Sequence, residues 1–99
     1  MLAGLPLIAR ATTALHPSKH SIVIEKMRFG AVPTNIRAGD TIVWINRDVV
    51  AHTATARNGS FDVELPSGGS AEMVAASTGT IAFYYRYHPV MRGSLVVAR

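Results

Sequence analysis

A chain of 99 residues has room for one domain, and with 48% hydrophobic and 16% charged residues it folds rather than staying disordered. It has no cysteine, which excludes disulfides, thiolate nucleophiles and thiolate metal ligands, and no apolar run long enough for a membrane-spanning helix. The formal charge of +4 favours acidic partners. Arg28, Arg37, Arg47, Arg57, Arg86, Arg92 and Arg99 are scattered, however, without the clustering and interleaved aromatics that nucleic-acid binding needs, so no nucleic-acid partner is expected.

Leu2, Leu5, Leu7 and Ile8 followed by Ala9-Arg10-Ala11 look like the tail of a secretory signal, although no positively charged stretch precedes them. Residues 1–19 are therefore read as an N-terminal arm or residual signal segment, with export to the periplasm as the expectation. His16 and His20 flank Pro17-Ser18-Lys19 and are read as part of an exposed arm. The folded domain is expected over 20–99.

From His20 onward the pattern is short strands and turns, with no helical period. Ile22 and Ile24 alternate, and Met27 and Phe29 continue one residue out of phase, which predicts a β-bulge. Thr34–Arg37 is a short strand. Ala38-Gly39-Asp40 turns into Thr41–Asn46, rich in β-branched and aromatic residues. Asp48–Ala51 is a loop leading to His52, and Thr53–Ala56 is extended. Asn58-Gly59 is a turn signal before another strand from Phe61, closed by Pro66-Ser67-Gly68-Gly69. Ala71–Ala76 and Thr80–Tyr85 are strands, a loop runs through Pro89, and Ser94–Ala98 closes the domain. Seven to eight short strands at regular spacing predict an all-β sandwich, without giving the pairing order, with Trp44 filling the space between the sheets.

The residues that carry chemistry are few. His52 and His88 lie at strand-to-loop borders far apart in sequence, and Met91 follows His88 by three residues. Two imidazoles and a thioether suit a soft or borderline metal such as copper, while unrelated surface histidines give the same spacing.

Three ordered segments resemble the cupredoxins, in particular the small amicyanin-, pseudoazurin- and plastocyanin-like copper proteins. They are Ala38-Gly39-Asp40-Thr41-Ile42-Val43-Trp44-Ile45-Asn46; Asn46-Arg47-Asp48 with His52-Thr53-Ala54-Thr55; and Gly79-Thr80 to Phe83 with His88-Pro89-Val90-Met91-Arg92-Gly93. The resemblance covers about Ser21 to Ala98. It implies a Greek-key cupredoxin sandwich, copper as cofactor, histidine ligands at His52 and His88, and a weak axial ligand at Met91. The thiolate position is Tyr85. A phenol is a harder donor with an ordinary pKa near 10, and it ionises near neutrality only on a strong Lewis acid such as Cu(II). Tyr85 shares a face with Phe83 and Tyr87, and reaches the site only if that face is inward. It is read either as a ligand with His52 and His88 or as a filler of the site. Thr53 is read as a hydrogen-bond donor beside the site, or as an ordinary strand threonine. Arg86 and Arg92 are read as partner-docking residues at the loop end, or as solvated arginines.

The resemblance implies a copper protein of the electron-transfer type that is not an enzyme and meets an acidic redox partner. A copper carrier, sensor or storage module and a metal-free scaffold are the alternatives. Tyr85 favours Cu(II) over Cu(I). A copper enzyme lacks an accompanying acid–base constellation.

Overall fold

The computed structural model describes residues 16–99, so the apolar segment from Leu2 to Ala11 lies outside the described residues. Nine strands follow one another: β1 (Lys19–Glu25), β2 (Arg28–Phe29), β3 (Ile36–Arg37), β4 (Thr41–Asn46), β5 (His52–Ala56), β6 (Asp62–Leu65), β7 (Ser70–Val74), β8 (Gly79–Tyr85) and β9 (His88–Ala98). Among the described residues there is no helix, and none therefore long and apolar enough to cross a membrane. Two of the strands, β2 and β3, are only two residues long, which takes the number beyond the seven or eight expected.

The strands form two packed sheets, of order β2-β1-β4-β7 and β3-β9-β8-β5-β6. The chain passes repeatedly from one sheet to the other. The pairs β1–β4 and β3–β9 are therefore parallel, and the remaining pairs antiparallel.

The phase slip after Ile24 is a hairpin, not a bulge. Ile24 pairs with Phe29 and Glu25 with Arg28, leaving Lys26 and Met27 as a two-residue turn with φ of 55° and 58°. Two left-handed residues in such a turn match the right-handed twist of the flanking strands. The sequence hides this because neither residue is glycine or asparagine.

The C-terminal strand begins at His88 rather than Ser94. Arg86 and Tyr87 form a two-residue turn that pairs Tyr85 with His88, and the register then shifts so that Tyr84 pairs with Arg92. Pro89, Val90 and Met91 are the extra residues of that irregularity. A proline without an N–H is tolerated where the ladder is already broken.

Alternation decides the core. Ile22 and Ile24 of β1 face inward with Ile42 and Trp44 of β4, against Ile81 and Phe83 of β8 and Leu95 and Val97 of β9. Trp44 is fully buried, as expected, and meets Phe83 edge-on at 5.1 Å between centroids, with Phe29 4.8 Å from Phe83.

His20 is not on an arm. It is buried in β1, and its Nε2 lies 2.8 Å from Asp40 Oδ2, whereas His16 is exposed. Asp40 also accepts the Arg37 N–H (2.9 Å) and the Ser18 N–H (2.9 Å), so one carboxylate ties the start of β1 to the β3–β4 turn. These bonds, led by that from Arg37, lower its pKa from 3.8 to about 2. A depressed carboxylate stabilises the fold above its unfolded pKa, and that stabilisation is lost as pH falls through the folded value. Asp40 should contribute about 2 kcal/mol at neutral pH, disappearing between about pH 4 and pH 2. Denaturant unfolding across that range should show the loss in the native protein and a flatter profile in Asp40→Asn.

Candidate metal centre

Three strand ends meet at one end of the five-stranded sheet. Because β8 is antiparallel to both β5 and β9, the end of β8 lies beside the starts of β5 and β9. These ends carry Tyr85, His52 and His88.

His52 is the most constrained of them. It opens β5 on the same face as Ala54 and Ala56 of the core, and is 1% exposed. Its Nε2 lies 2.7 Å from Asp48 Oδ2, while its buried Nδ1 has no hydrogen-bond partner. Asp48 is itself held. It accepts the Lys26 N–H at 2.7 Å and the Met27 N–H at 3.0 Å, and its own N–H donates to Asn46 Oδ1 at 2.9 Å. These bonds, that to His52 first, lower the Asp48 pKa from its ordinary value. A carboxylate on Nε2 holds the proton there and leaves Nδ1 a lone-pair donor. Buried Asn46 shapes the intervening loop, donating to the carbonyls of Val50 (2.8 Å), Leu65 (3.2 Å) and Pro66 (3.1 Å).

The inward alternative holds for Tyr85. It follows Ile81 and Phe83 on the inner face of β8 and packs against the core. Its ring meets His52 edge-on at 4.7 Å between centroids, and its hydroxyl donates to the Ala51 carbonyl at 2.9 Å. Tyr87, 74% exposed, stands edge-on to Tyr85 at 5.8 Å. A cavity of about 270 Å³ adjoins these rings, lined by His52, Leu65, Pro66, Tyr85, Arg86 and Tyr87 among others.

The other expected residues are placed differently. His88 is exposed and directly opposite Tyr85, which puts both side chains on one side of the sheet, but it does not line the cavity. Met91 is buried in the core. Thr53 points to the outer side with Thr55; its Oγ1 accepts the Arg86 N–H at 3.0 Å and lies 2.9 Å from Thr55 Oγ1. It thus ties the β8–β9 turn to β5. Arg86 is engaged with Asp62 (3.1 Å) and Glu64 (3.5 Å), while Arg92 is exposed. Sequence reasoning missed Asp48 as the anchor of His52. The only signal was an acid four residues before the histidine, and loop geometry alone makes that spacing a contact.

The donor chemistry meets a copper ion's requirements at His52, whose buried Nδ1 is otherwise without a partner. Tyr85 Oη could join it by leaving the Ala51 carbonyl. Among the described residues, no three His, Asp or Glu side chains gather as an alternative ligand set.

Two packed sheets with these connections and this register form the cupredoxin β-sandwich. The chain is similar to the amicyanins of Paracoccus versutus and Paracoccus denitrificans, with 29% identity to each over 80 residues. The match takes in 75% of this chain and 61% of each relative, so the chain spans less than two thirds of the length of the curated relatives it matches. The crystal structure of amicyanin from Paracoccus versutus superposes with a TM-score of 0.66 at 25% identity, covering 78% of either chain. A variant amicyanin in its reduced Cu(I) form superposes with a TM-score of 0.65 at 25% identity, covering 78% of this chain and 79% of that one. No protein-family model matches the sequence.

Proposed function

We propose that this protein binds copper as an electron-transfer protein rather than an enzyme, through an atypical site in which His52, Tyr85 and His88 are the ligands and Met91 is distant or merely packed in the core. The observation that carries the reading is His52: a buried imidazole with Nε2 fixed on Asp48, Nδ1 unpaired and its ring against Tyr85. The similarity to amicyanins, one of them recorded as a Cu(I) form, supports the same metal. Bound copper would supply one-electron chemistry, and a phenol in place of a thiolate favours Cu(II). The basic charge suits an acidic redox partner, and the signal-like residues Leu2–Ala11 support a periplasmic location.

One contact favours a second reading. The Tyr85 hydroxyl is already satisfied by Ala51, as it would be in a metal-free scaffold where Tyr85 closes the site. A copper carrier, sensor or storage module shares the binding site but not the redox cycling.

Titration with Cu(II), followed by visible absorption, separates these readings. The copper reading expects binding at least tenfold tighter than in His52→Ala. It also expects a phenolate-to-copper charge-transfer band that Tyr85→Phe removes. Equal binding by the native protein and His52→Ala would sink it. Reversible voltammetry of the copper form expects cycling for an electron-transfer protein and none for a carrier.

A further inference from the structure

The chain has six carboxylate side chains, and most are already paired. Asp40 is on His20, Asp48 on His52, Asp62 and Glu64 on Arg86, and Glu72 on Lys19. Among the described residues, Arg57 and Arg92, like Arg28, Arg37 and Arg47, have no carboxylate within ion-pairing distance. Residues 1–15 contain no acid that could supply one.

These two arginines converge on one aromatic. Arg57 Cζ sits 4.3 Å over the Tyr84 ring, and Arg92 is the residue directly opposite Tyr84 across the β8–β9 pair. Ile81 and Phe83 face the core, so Tyr84 and Arg92 lie on the outer face of the sheet. That face continues through the pairs Ala82–Ser94 and Thr80–Val96, which are small or uncharged, and neither β8 nor β9 contains an acidic residue. The sheet's own acids, Asp62 and Glu64, are on β6 and are held by Arg86.

We propose that this outer face, centred on Tyr84 between Arg57 and Arg92, docks an acidic protein surface. Arg57 Cζ rests 4.3 Å from the ring centroid, and among the described residues its guanidinium donates to no side chain, so its N–H groups are available to a carboxylate, which a guanidinium can grip in a bidentate pair. Tyr84 supplies a half-buried aromatic anchor, of the kind that dominates docking energies. The uncharged strip beside it admits a flat partner without stranding a charge. Two arginines around one ring are too few for the many phosphate contacts that hold a nucleic acid, so the chemistry matched is a protein's carboxylates. Arg86, already held by Asp62 and Glu64, is not part of this surface. Copper plays no part in this surface.

The test uses the 99-residue, metal-free chain, isotope-labelled for NMR and titrated at low ionic strength with a decaglutamate peptide. Shifts should concentrate in Thr80–Tyr84 and Arg92–Val96. The double variant Arg57→Gln/Arg92→Gln should weaken binding about tenfold, while Arg28→Gln/Arg47→Gln leaves it unchanged. Thermal melts of both double variants confirm that they fold. Three outcomes would overturn the proposal: equal weakening by the two double variants, shifts spread over every arginine, or tighter binding of a single-stranded oligonucleotide or of phosphatidylserine vesicles to the same residues.

Discussion

Replacing Asp48 with alanine should destabilise the protein by about 3 kcal/mol, because one carboxylate serves three donors on two segments, the Lys26–Met27 turn and the start of β5. Its side chain is 14% exposed, so solvent compensates only partly for the lost bonds. Lys26 and Met27 depend on it most directly. Left-handed conformations cost non-glycine residues roughly 1 kcal/mol each, and the Asp48 oxygens receive both of their N–H groups. Asp48→Asn, which keeps one acceptor oxygen, should lose about half as much. Met27→Gly in the Asp48→Ala background should recover part of the loss by removing the strain. Denaturant unfolding measures all three. The same substitution frees His52 Nε2, so the nitrogen-15 shifts of the imidazole should move from a single tautomer towards a mixture. If that shift pattern is unchanged in Asp48→Ala, the carboxylate does not set the tautomer. The depressed Asp48 pKa adds a pH dependence of known sign. Its contribution is present above the unfolded value and is lost as pH falls through the folded one.

Gly93→Ala should cost about as much, approximately 3 kcal/mol, for a steric reason. A Cβ at this position would lie 2.6 Å from Phe83 Cζ and 2.9 Å from Cε1. Phe83 cannot turn away, since it is fully buried with Phe29 and Trp44 against its ring. The close approach follows from the register, which puts Gly93 directly opposite Phe83. Combining Gly93→Ala with Phe83→Leu should return part of the stability, because the shorter side chain opens the space that the methyl needs. A melting temperature unchanged in Gly93→Ala would show that the ring has room to move. Gly39 behaves differently: open space surrounds it, but its φ of 96° penalises any side chain. Its replacement by alanine should cost only about 1 kcal/mol.

Local sequence determined much of this protein. Runs rich in β-branched and aromatic residues at Thr41–Asn46 and Thr80–Tyr85 specify strands, but both sides of each run are apolar, so only packing decides which side faces inward. The absence of cysteine excluded a thiolate site, and three ordered motifs marked His52, Tyr85, His88 and Met91 as one candidate group. Only the tertiary structure decided the rest. Two non-glycine residues form the turn at Lys26–Met27 because a carboxylate 21 or more residues away stabilises it, which no local pattern reveals. His20 is buried, rather than on an arm, because β1 pairs in parallel with β4 and meets Asp40 there. Arg86 and Arg92 read alike in sequence, yet sheet register neutralises one with Asp62 and Glu64 and places the other opposite Tyr84. For the candidate site, sequence supplied the donor atoms. The fold supplied the contact of His52 with Asp48 and the inward face of Tyr85, since both depend on strands distant in the chain packing side by side.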